Sequence, residues 1–275
     1  MAQLHTRAAA AGVRLFAHQT IDSTNTEALR LARSGEQGPL WVFARSQTAG
    51  RGRRSREWIS EPGNFYGSFL LRAPSLLGNT PQLSFVAALA LHDALSALTG
   101  WAAELKLKWP NDLLHAGAKL AGILVEGEGR HVVIGIGVNC AHHPEPTRYP
   151  ATDLAAAGAS VLPDEILAQL SAAMLERLAQ WDEGAGFART RRDWLARAHE
   201  GGSEMRVATG EREASGVFED LDETGRLILR LSDGKREAIT AGDVFPVADM
   251  TGAGRSGSST ASGRAHSPLT VLPHG

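Results

Sequence analysis

The sequence predicts an α/β (α+β) chain in two parts. Strands alternate with amphipathic helices up to about residue 201, and a small all-β unit follows over residues 202–248. Three observations predict this. Runs with strand patterning alternate with runs of 3.6-residue apolar spacing over the first two hundred residues. Composition shifts at Gly201-Gly202. Beyond that point the chain carries short strand-like runs separated by turn signals, with no long helical pattern.

The elements follow in order. Val13 to His18 alternates as a short first strand. A helix opens at Thr24-Asn25-Thr26-Glu27, where Thr24 with Glu27 fits a capping box, and Gly35 fits its C-terminal cap. Leu40 to Ala44 has the composition of a buried strand. Gln47 to Trp58 is a Gly/Arg-rich loop, and Asn64 to Arg72 is the next strand. Pro81 to Leu98 has helical spacing at Leu83, Val86, Ala87, Ala90, Ala94 and Leu98. Glu104 to Trp109 alternates as a strand that Pro110 ends. Ile123-Leu124-Val125 and His131 to Val138 read as a hairpin around Gly127-Glu128-Gly129. Pro163 to Trp181 is an amphipathic helix with proline in its first turn, and Phe187 to Ala198 is a further helix. The second part holds strand-like runs at Met205 to Val207, Ala214 to Phe218, Arg226 to Leu231, Glu237 to Ile239 and Val244-Phe245. Turn residues fall at Asp222 to Gly225 and Ser232 to Lys235. This pattern suggests a small β-barrel. From Asp249 to Gly275, 18 of 27 residues are Gly, Ala, Ser, Thr or Pro, so that tail is expected to be disordered.

Composition narrows the function. The 275 residues carry a formal net charge of −2, which excludes a globally basic nucleic-acid binder. The single cysteine, Cys140, excludes a disulfide framework and suits a reducing compartment. The longest apolar run, Phe85 to Leu91, falls far short of the ~20 residues a membrane span needs, so a cytoplasmic location with no membrane partner is the expectation. Four lysines stand among 28 basic residues, and a GC-rich genome would explain that bias. Under such a bias each remaining lysine hints at a place where arginine would not serve. Three of the four, Lys106, Lys108 and Lys119, fall in one short stretch.

Four segments could carry chemistry. Gly50-Arg51-Gly52-Arg53-Arg54-Ser55-Arg56 combines a backbone that can approach a ligand closely with bidentate donors for phosphate or carboxylate. Read alone, it is either an anion-binding loop or a solvated basic loop. Lys108-Trp109-Pro110-Asn111-Asp112 ends a strand. Asp112 there either serves Mg²⁺, which takes one or two carboxylates plus substrate phosphates, or belongs to a plain turn. Lys119 at the entrance of a buried strand must find an anion or reach solvent. Gly135-Ile136-Gly137-Val138-Asn139 permits close approach of a flat ligand or tight sheet packing. No histidine pair has metal-ligand spacing, and no nucleophile–base signature is present.

Taken in order, Asp22 to Asn25, Gln47 to Arg54, Lys108 to Asp112, Lys119-Leu120-Ala121-Gly122-Ile123-Leu124-Val125-Glu126 and Gly135 to Asn139 resemble the biotin–protein ligase family over roughly residues 14–248. The resemblance implies a class II synthetase-like catalytic domain with a mixed sheet and flanking helices over residues 1–201. It implies a small SH3-like β-barrel over 202–248. The implied reaction joins biotin to MgATP to give biotinyl-5′-AMP and pyrophosphate. Biotin then passes to one lysine of a biotin carboxyl carrier protein domain of a biotin-dependent carboxylase. Lys119, Arg53 and Asp112 would be catalytic, with Asp112 also serving Mg²⁺. Ser23, Thr24, Asn25, Gln47, Gly50, Arg51, Gly52, Arg53, Lys119, Gly122, Leu124 and Gly137 would hold biotin. Arg51, Arg53, Arg54, Arg56, Trp58, Asn111, Lys119 and Asn139 would hold ATP and the adenylate.

Three departures from the family pattern stand out. The catalytic pattern starts by about residue 14, so the form without an N-terminal DNA-binding domain is expected, with no nucleic-acid partner. Ser55 stands where the family has glycine. The stretch His142-His143-Pro144-Glu145-Pro146 is short, which leaves the adenine platform undetermined. A homodimer is one option for the oligomeric state. Two other readings compete: a lipoate–protein ligase, which shares the fold and chemistry, and a non-catalytic binding module.

Overall fold

The computed structural model describes residues 2–72, 78–145, 147, 149–199, 201–210 and 212–246. The tail from Asp249 onward, expected to be disordered, and Pro146 lie outside these residues. Among the described residues the first part of the chain forms a mixed seven-stranded sheet and the second a five-stranded antiparallel sheet.

The elements of the first part are α1 (Thr6–Ala10), β1 (Arg14–Ile21), α2 (Thr24–Arg33), β2 (Leu40–Gln47), β3 (Phe65–Arg72), α3 (Leu83–Thr99), β4 (Leu105–Lys108), β5 (Asp112–His115), β6 (Ala118–Glu128), β7 (His131–Val138), α4 (Pro163–Trp181) and α5 (Phe187–Leu195). The second part contributes β8 (Glu204–Ala208), β9 (Glu213–Leu221), β10 (Leu227–Arg230), β11 (Arg236–Ile239) and β12 (Asp243–Pro246). The strand order is β1-β2-β3-β7-β6-β5-β4 in the larger sheet and β11-β10-β9-β8-β12 in the smaller. Strands β1 and β2 pair in parallel, and the other pairs of the larger sheet are antiparallel.

Period-2 alternation places the two faces. Leu40 and Val42 of β2 pack with Leu70, Val133 and the Ala28/Ala32 stripe of α2. Trp41 and Phe43, the alternate residues, belong to the large core shared with α3 and α4. By length and apolarity the stretch Thr80–Thr99 could cross a membrane, but two-thirds of it is buried inside the protein. Its apolar residues serve the core, and Gly100 ends the helix at φ 80°, a left-handed position.

The two sheets share that core. Phe85 of α3, Phe187 and Trp194 of α5 and Phe218 of β9 form a chain of edge-on aromatic contacts with centroids 5.4–6.5 Å apart. The Trp109 indole donates to the carbonyl of Gly225 at 3.2 Å. Gly225 sits at φ 88°, with the Phe85 ring 2.6 Å from where a Cβ would stand, so both turn and packing require glycine.

Two local expectations need correction. Thr24 and Glu27 do not form a capping box. Thr24 is the first helical residue, and its N–H is taken by the Gln47 side chain at 2.8 Å, so the cap comes from β2. The expectation for Gly35 holds: it follows Ser34 at φ 106°, its N–H donates to the Ala32 carbonyl at 3.1 Å, and the Glu36 N–H donates to the Leu31 carbonyl at 3.0 Å, closing the end of the helix. Asp112 opens a four-residue strand, β5, rather than a simple turn. The helix α1 and strand β5 are too short for periodicity to reveal them.

The segment after β7 is pinned from below. Asn64 Oδ1 accepts from the N–H groups of Cys140 and Ala141 at 2.7 and 2.9 Å. Asp153, 4% exposed, meets the His143 ring at 2.6 Å and accepts from the Ala156 N–H at 2.7 Å. That bond to Asp153 raises the His143 pKa above its ordinary value against the opposing effect of burial, and Glu145 adds to the rise. The protonated pair therefore contributes its full stability below about pH 6.5, the unfolded value, and loses it as pH rises through the higher folded value. His143→Gln is expected to lower Tm most at acidic pH, with the gap to the parent narrowing toward pH 9, as thermal melts across that range would read. A gap constant with pH would exclude the ionic contribution.

Candidate active site

A cleft of about 570 Å³ opens at the ends of β6 and β7, closed on one side by the arginine loop and on another by the start of β12. It gathers most of the residues singled out from the sequence.

One end is polar and uncharged. Ser23, Thr24 and Asn25 of the first turn of α2 are at most 5% exposed and line the cleft. Gln47 ends β2 beside them. Its carbonyl oxygen accepts from the N–H and hydroxyl of Thr24 at 2.8 and 3.1 Å, and its amide donates to Ser60 at 2.8 Å. Ser68 of β3 is fully buried between Thr24 at 2.8 Å and Asn25 at 2.6 Å. Asn25 Oδ1 can only accept, so in the shorter of these contacts the Ser68 hydroxyl is the donor. Gly135 makes this possible, because the Asn25 amide occupies the space a Cβ would need.

The middle of the cleft carries charge. Lys119 of β6 forms an ion pair with Asp112 at 2.7 Å, and the ammonium lies 5.5 Å from the Trp58 ring centroid. The Lys119 backbone is fixed on both sides, its N–H donating to the Pro150 carbonyl at 2.7 Å and its C=O accepting from Thr152 at 2.9 Å. Asn111, one residue before Asp112, has a separate role. It donates to the Ile123 carbonyl at 2.7 Å and accepts from Arg53 at 3.1 Å. Asn139 donates to the Thr152 carbonyl at 3.0 Å and so braces the segment beside Lys119.

The glycines of the two motifs face the indole of Trp58. Gly122 and Gly137 are register partners across β6 and β7. A Cβ at Gly122 would stand 2.9 Å from the indole, and one at Gly137 would stand 2.6 Å from it. The flat group that these glycines admit in this structure is therefore Trp58. Leu124 lines the cleft on the same strand.

The arginine loop is held by two carboxylates and two neutral oxygens. Arg51 pairs with Glu126 at 3.0 Å. Arg53 reaches Asn111 and, at 3.4 Å, the Gly242 carbonyl. Arg54 and Arg56 both pair with Asp243, the first residue of β12. Burial lowers the Arg53 guanidinium from its ordinary pKa, while Asp243 and Asp112 oppose that shift. For Asp243 burial acts to raise the carboxyl, yet the hydrogen bond from Arg56 and the charges of Arg56, Arg54 and Arg53 bring it below the ordinary range. Arg54 and Ser55 sit at φ 55° and 56°, in the left-handed region, so the serine occupies a conformation that glycine adopts without cost. Two expected residues fall outside the lining. Arg54 points to Asp243, and Gly50 packs within the loop, where a Cβ would strike Ser60 and the Trp58 carbonyl.

Reading the sequence missed Ser68 and the Gly242–Phe245 segment, and it gave no site role to Lys108 or Glu126 although both lie in motifs it singled out. Lys108, 8% exposed, lines the cleft with its ammonium 4.1 Å from the Tyr149 ring centroid. Its rarity as a lysine was the available signal. Ser68 had none beyond membership of a strand. Cys140 is buried, and burial pushes its thiol up to about 12, so it takes no part as a thiolate.

The exposed pairs to Asp243 are each worth ~0.2–1 kcal/mol, so together they form a weak clasp. Asp243→Ala is expected to speed tryptic cleavage after Arg54 and Arg56 by about two- to fivefold in the ligand-free protein. Cleavage at the parental rate would show that the loop is held by other contacts.

The chain is similar to known proteins over both of its sheets. The family model described as Biotin/lipoate A/B protein ligase family matches residues 17–139, and that described as Biotin protein ligase C terminal domain matches residues 201–245. A biotin–[acetyl-CoA-carboxylase] ligase of Paracoccus denitrificans is 47% identical over 235 residues, covering 82% of this chain and 97% of that protein. One of Mycobacterium tuberculosis is 35% identical over 232 residues, covering 81% of this chain and 85% of that protein. The structure of the biotin protein ligase from Aquifex aeolicus in complex with biotin and ATP superposes with a TM-score of 0.75 at 28% identity, covering 85% of this chain and 99% of that one.

Proposed function

This chain belongs to the biotin/lipoate A/B protein ligase family, and from that membership we infer that it is an ATP-dependent, AMP-forming ligase of biotin to acetyl-CoA carboxylase. The observation that carries the residue assignment is the position of Lys119, which lines the cleft against Asp112 and beside the Trp58 ring. The biotin-specific C-terminal family match favours biotin over lipoate.

The chemistry follows from the charges. Adenylation brings a carboxylate against a triphosphate. A carboxylate oxygen attacks the α-phosphorus, the bond to the β-phosphate oxygen breaks, and pyrophosphate leaves. Lys119 offers a compact positive charge where the two anions meet. Arg51 and Arg53 bring further donors from the loop, and Trp58 with Gly122 and Gly137 forms an apolar wall beside them. Ser23, Thr24, Asn25 and Gln47 offer hydrogen-bonding groups suited to a ureido ring. Mg²⁺ enters as part of the substrate MgATP. The single carboxylate that Asp112 offers beside Lys119 suits an ion that keeps most of its phosphate and water ligands. Closure of the loop shields a mixed anhydride from water.

In the second half-reaction the acceptor lysine amine attacks the biotinyl carbonyl and AMP leaves. Asp112 is the carboxylate nearest that step and can take the amine proton once Lys119 turns to the phosphate. The acceptor is the carrier domain of a biotin-dependent carboxylase. We place the reaction in the cytoplasm, where ATP is available and a free buried Cys140 stays reduced.

ATP–pyrophosphate exchange by the purified chain tests the reading. Exchange is expected to require biotin and Mg²⁺ and to be absent with lipoate. Exchange with lipoate alone, or none from folded protein with either acid, would overturn it.

A further inference from the structure

Asn25 presents one side to the cleft, and its amide is gripped from behind. Oδ1 accepts from Ser68 at 2.6 Å. Nδ2 donates to Glu126 at 2.7 Å and to the Leu124 carbonyl at 3.4 Å. An ionised carboxylate only accepts, so Glu126 fixes which end of the amide is nitrogen. Glu126 does not line the cleft. The Glu126 oxygen that holds Asn25 also accepts from Arg51 at 3.0 Å, and Arg51 begins the arginine loop and does line the cleft. Thr26 adds a 3.4 Å contact to the same guanidinium. One carboxylate oxygen thus ties a residue of the cleft wall to a residue of the loop that closes over it. Nothing in the adenylation chemistry requires this carboxylate, and an acid near two anionic substrates opposes their binding unless it serves another purpose.

We propose that Glu126 is a positioning residue, which orients the Asn25 amide and moors the arginine loop at the uncharged end of the cleft. The proposal rests on the biotin-adenylation reading. It couples the two ends of the cleft. Occupancy beside Asn25 and order at Arg51 are linked through a shared acceptor, so loss of Glu126 weakens biotin binding without a matching effect on ATP.

The test is pyrophosphate exchange by the full chain, titrated in biotin and in ATP separately. Glu126→Ala is expected to raise the KM for biotin about tenfold, as for loss of a buried amide's partner, while the KM for ATP stays within about twofold. Glu126→Gln keeps an oxygen that accepts from Asn25 but loses its charge toward Arg51. It is expected to recover most of the biotin KM while tryptic cleavage after Arg51 speeds up. The double variant Asn25→Ala/Glu126→Ala is expected to match Asn25→Ala in biotin KM, because the two residues act as one unit. The proposal is overturned if Glu126→Ala leaves the biotin KM unchanged, raises both KM values equally, or adds fully to Asn25→Ala. If Glu126→Ala does not fold, Glu126→Gln decides by cleavage after Arg51, and cleavage at the parental rate overturns the proposal. A parent chain without biotin-dependent exchange would overturn the adenylation reading itself. An active parent with an indifferent Glu126 overturns the positioning role alone.

Discussion

Lys119→Ala is expected to lower biotin-dependent pyrophosphate exchange by about 10²–10³-fold, the loss seen when one preorganised donor to a developing charge is removed. The kinetic pattern should be a fall in kcat with smaller changes in KM, because the charge is needed most where carboxylate and phosphate meet. The geometry supports a large effect. Lys119 is held by its own backbone bonds to Pro150 and Thr152, so its ammonium is placed by the sheet. The contact with Asp112 at 2.7 Å orients it. Folding should suffer little, since the Lys119 side chain is 29% exposed and a pair of that kind contributes about 1 kcal/mol or less. Lys119→Arg is expected to restore only part of the activity, because a planar fork cannot occupy the place of a point charge between Asp112 and the Trp58 ring. Exchange within a few-fold of the parent in Lys119→Ala would remove this residue from the mechanism.

Gly137→Ala should weaken ATP use by about tenfold or more in KM, with biotin KM less affected. The added methyl would stand 2.6–2.7 Å from three atoms of the Trp58 indole, closer than non-bonded atoms approach. The ring must leave the sheet, and with it goes the apolar wall opposite Lys119. Strand pairing should survive, because alanine is acceptable backbone chemistry in β7 and the clash is with a side chain. The check is a pair of KM titrations together with Trp58 fluorescence, and the indole emission should shift to the red as it gains solvent. Unchanged emission and KM would mean that the indole has another seat. Gly122→Ala, at 2.9 Å from the same ring, should show a weaker form of the same pattern.

Much of this site could be read along the chain because its chemistry is carried by types that are locally conspicuous. Four arginines between residues 51 and 56 mark an anion loop by composition alone. A lysine in a lysine-poor chain marks Lys119. Alternation separates Leu40 and Val42 from Trp41 and Phe43 before any partner is known, and the two cores then take opposite faces. What could not be read is pairing at long range. Asn111 and Asp112 are neighbours in a turn-forming motif, and nothing local divides their roles. The register of β5 on β6 divides them, sending Asp112 to Lys119 and Asn111 to Arg53. The capping box failed for a similar reason. A side chain from β2 supplies the cap of α2, and a local rule counts only residues inside the turn.

The sequence by itself determined the order of the longer strands and helices, the family to which the motifs belong, and the kinds of charge the cleft would contain. Those properties reside in residue type and short spacing, which hydrophobic period and backbone preference convert directly into local structure. The tertiary structure alone decided which groups share a hydrogen bond. Only the fold brings Glu126 to both Asn25 and Arg51, buries Ser68 between Thr24 and Asn25, and sets Asp243 of the second sheet against the loop of the first. Such contacts join residues 43 to 189 positions apart. Hydrogen-bond geometry tolerates a few tenths of an ångström, and only a packed core with fixed strand register specifies positions that finely.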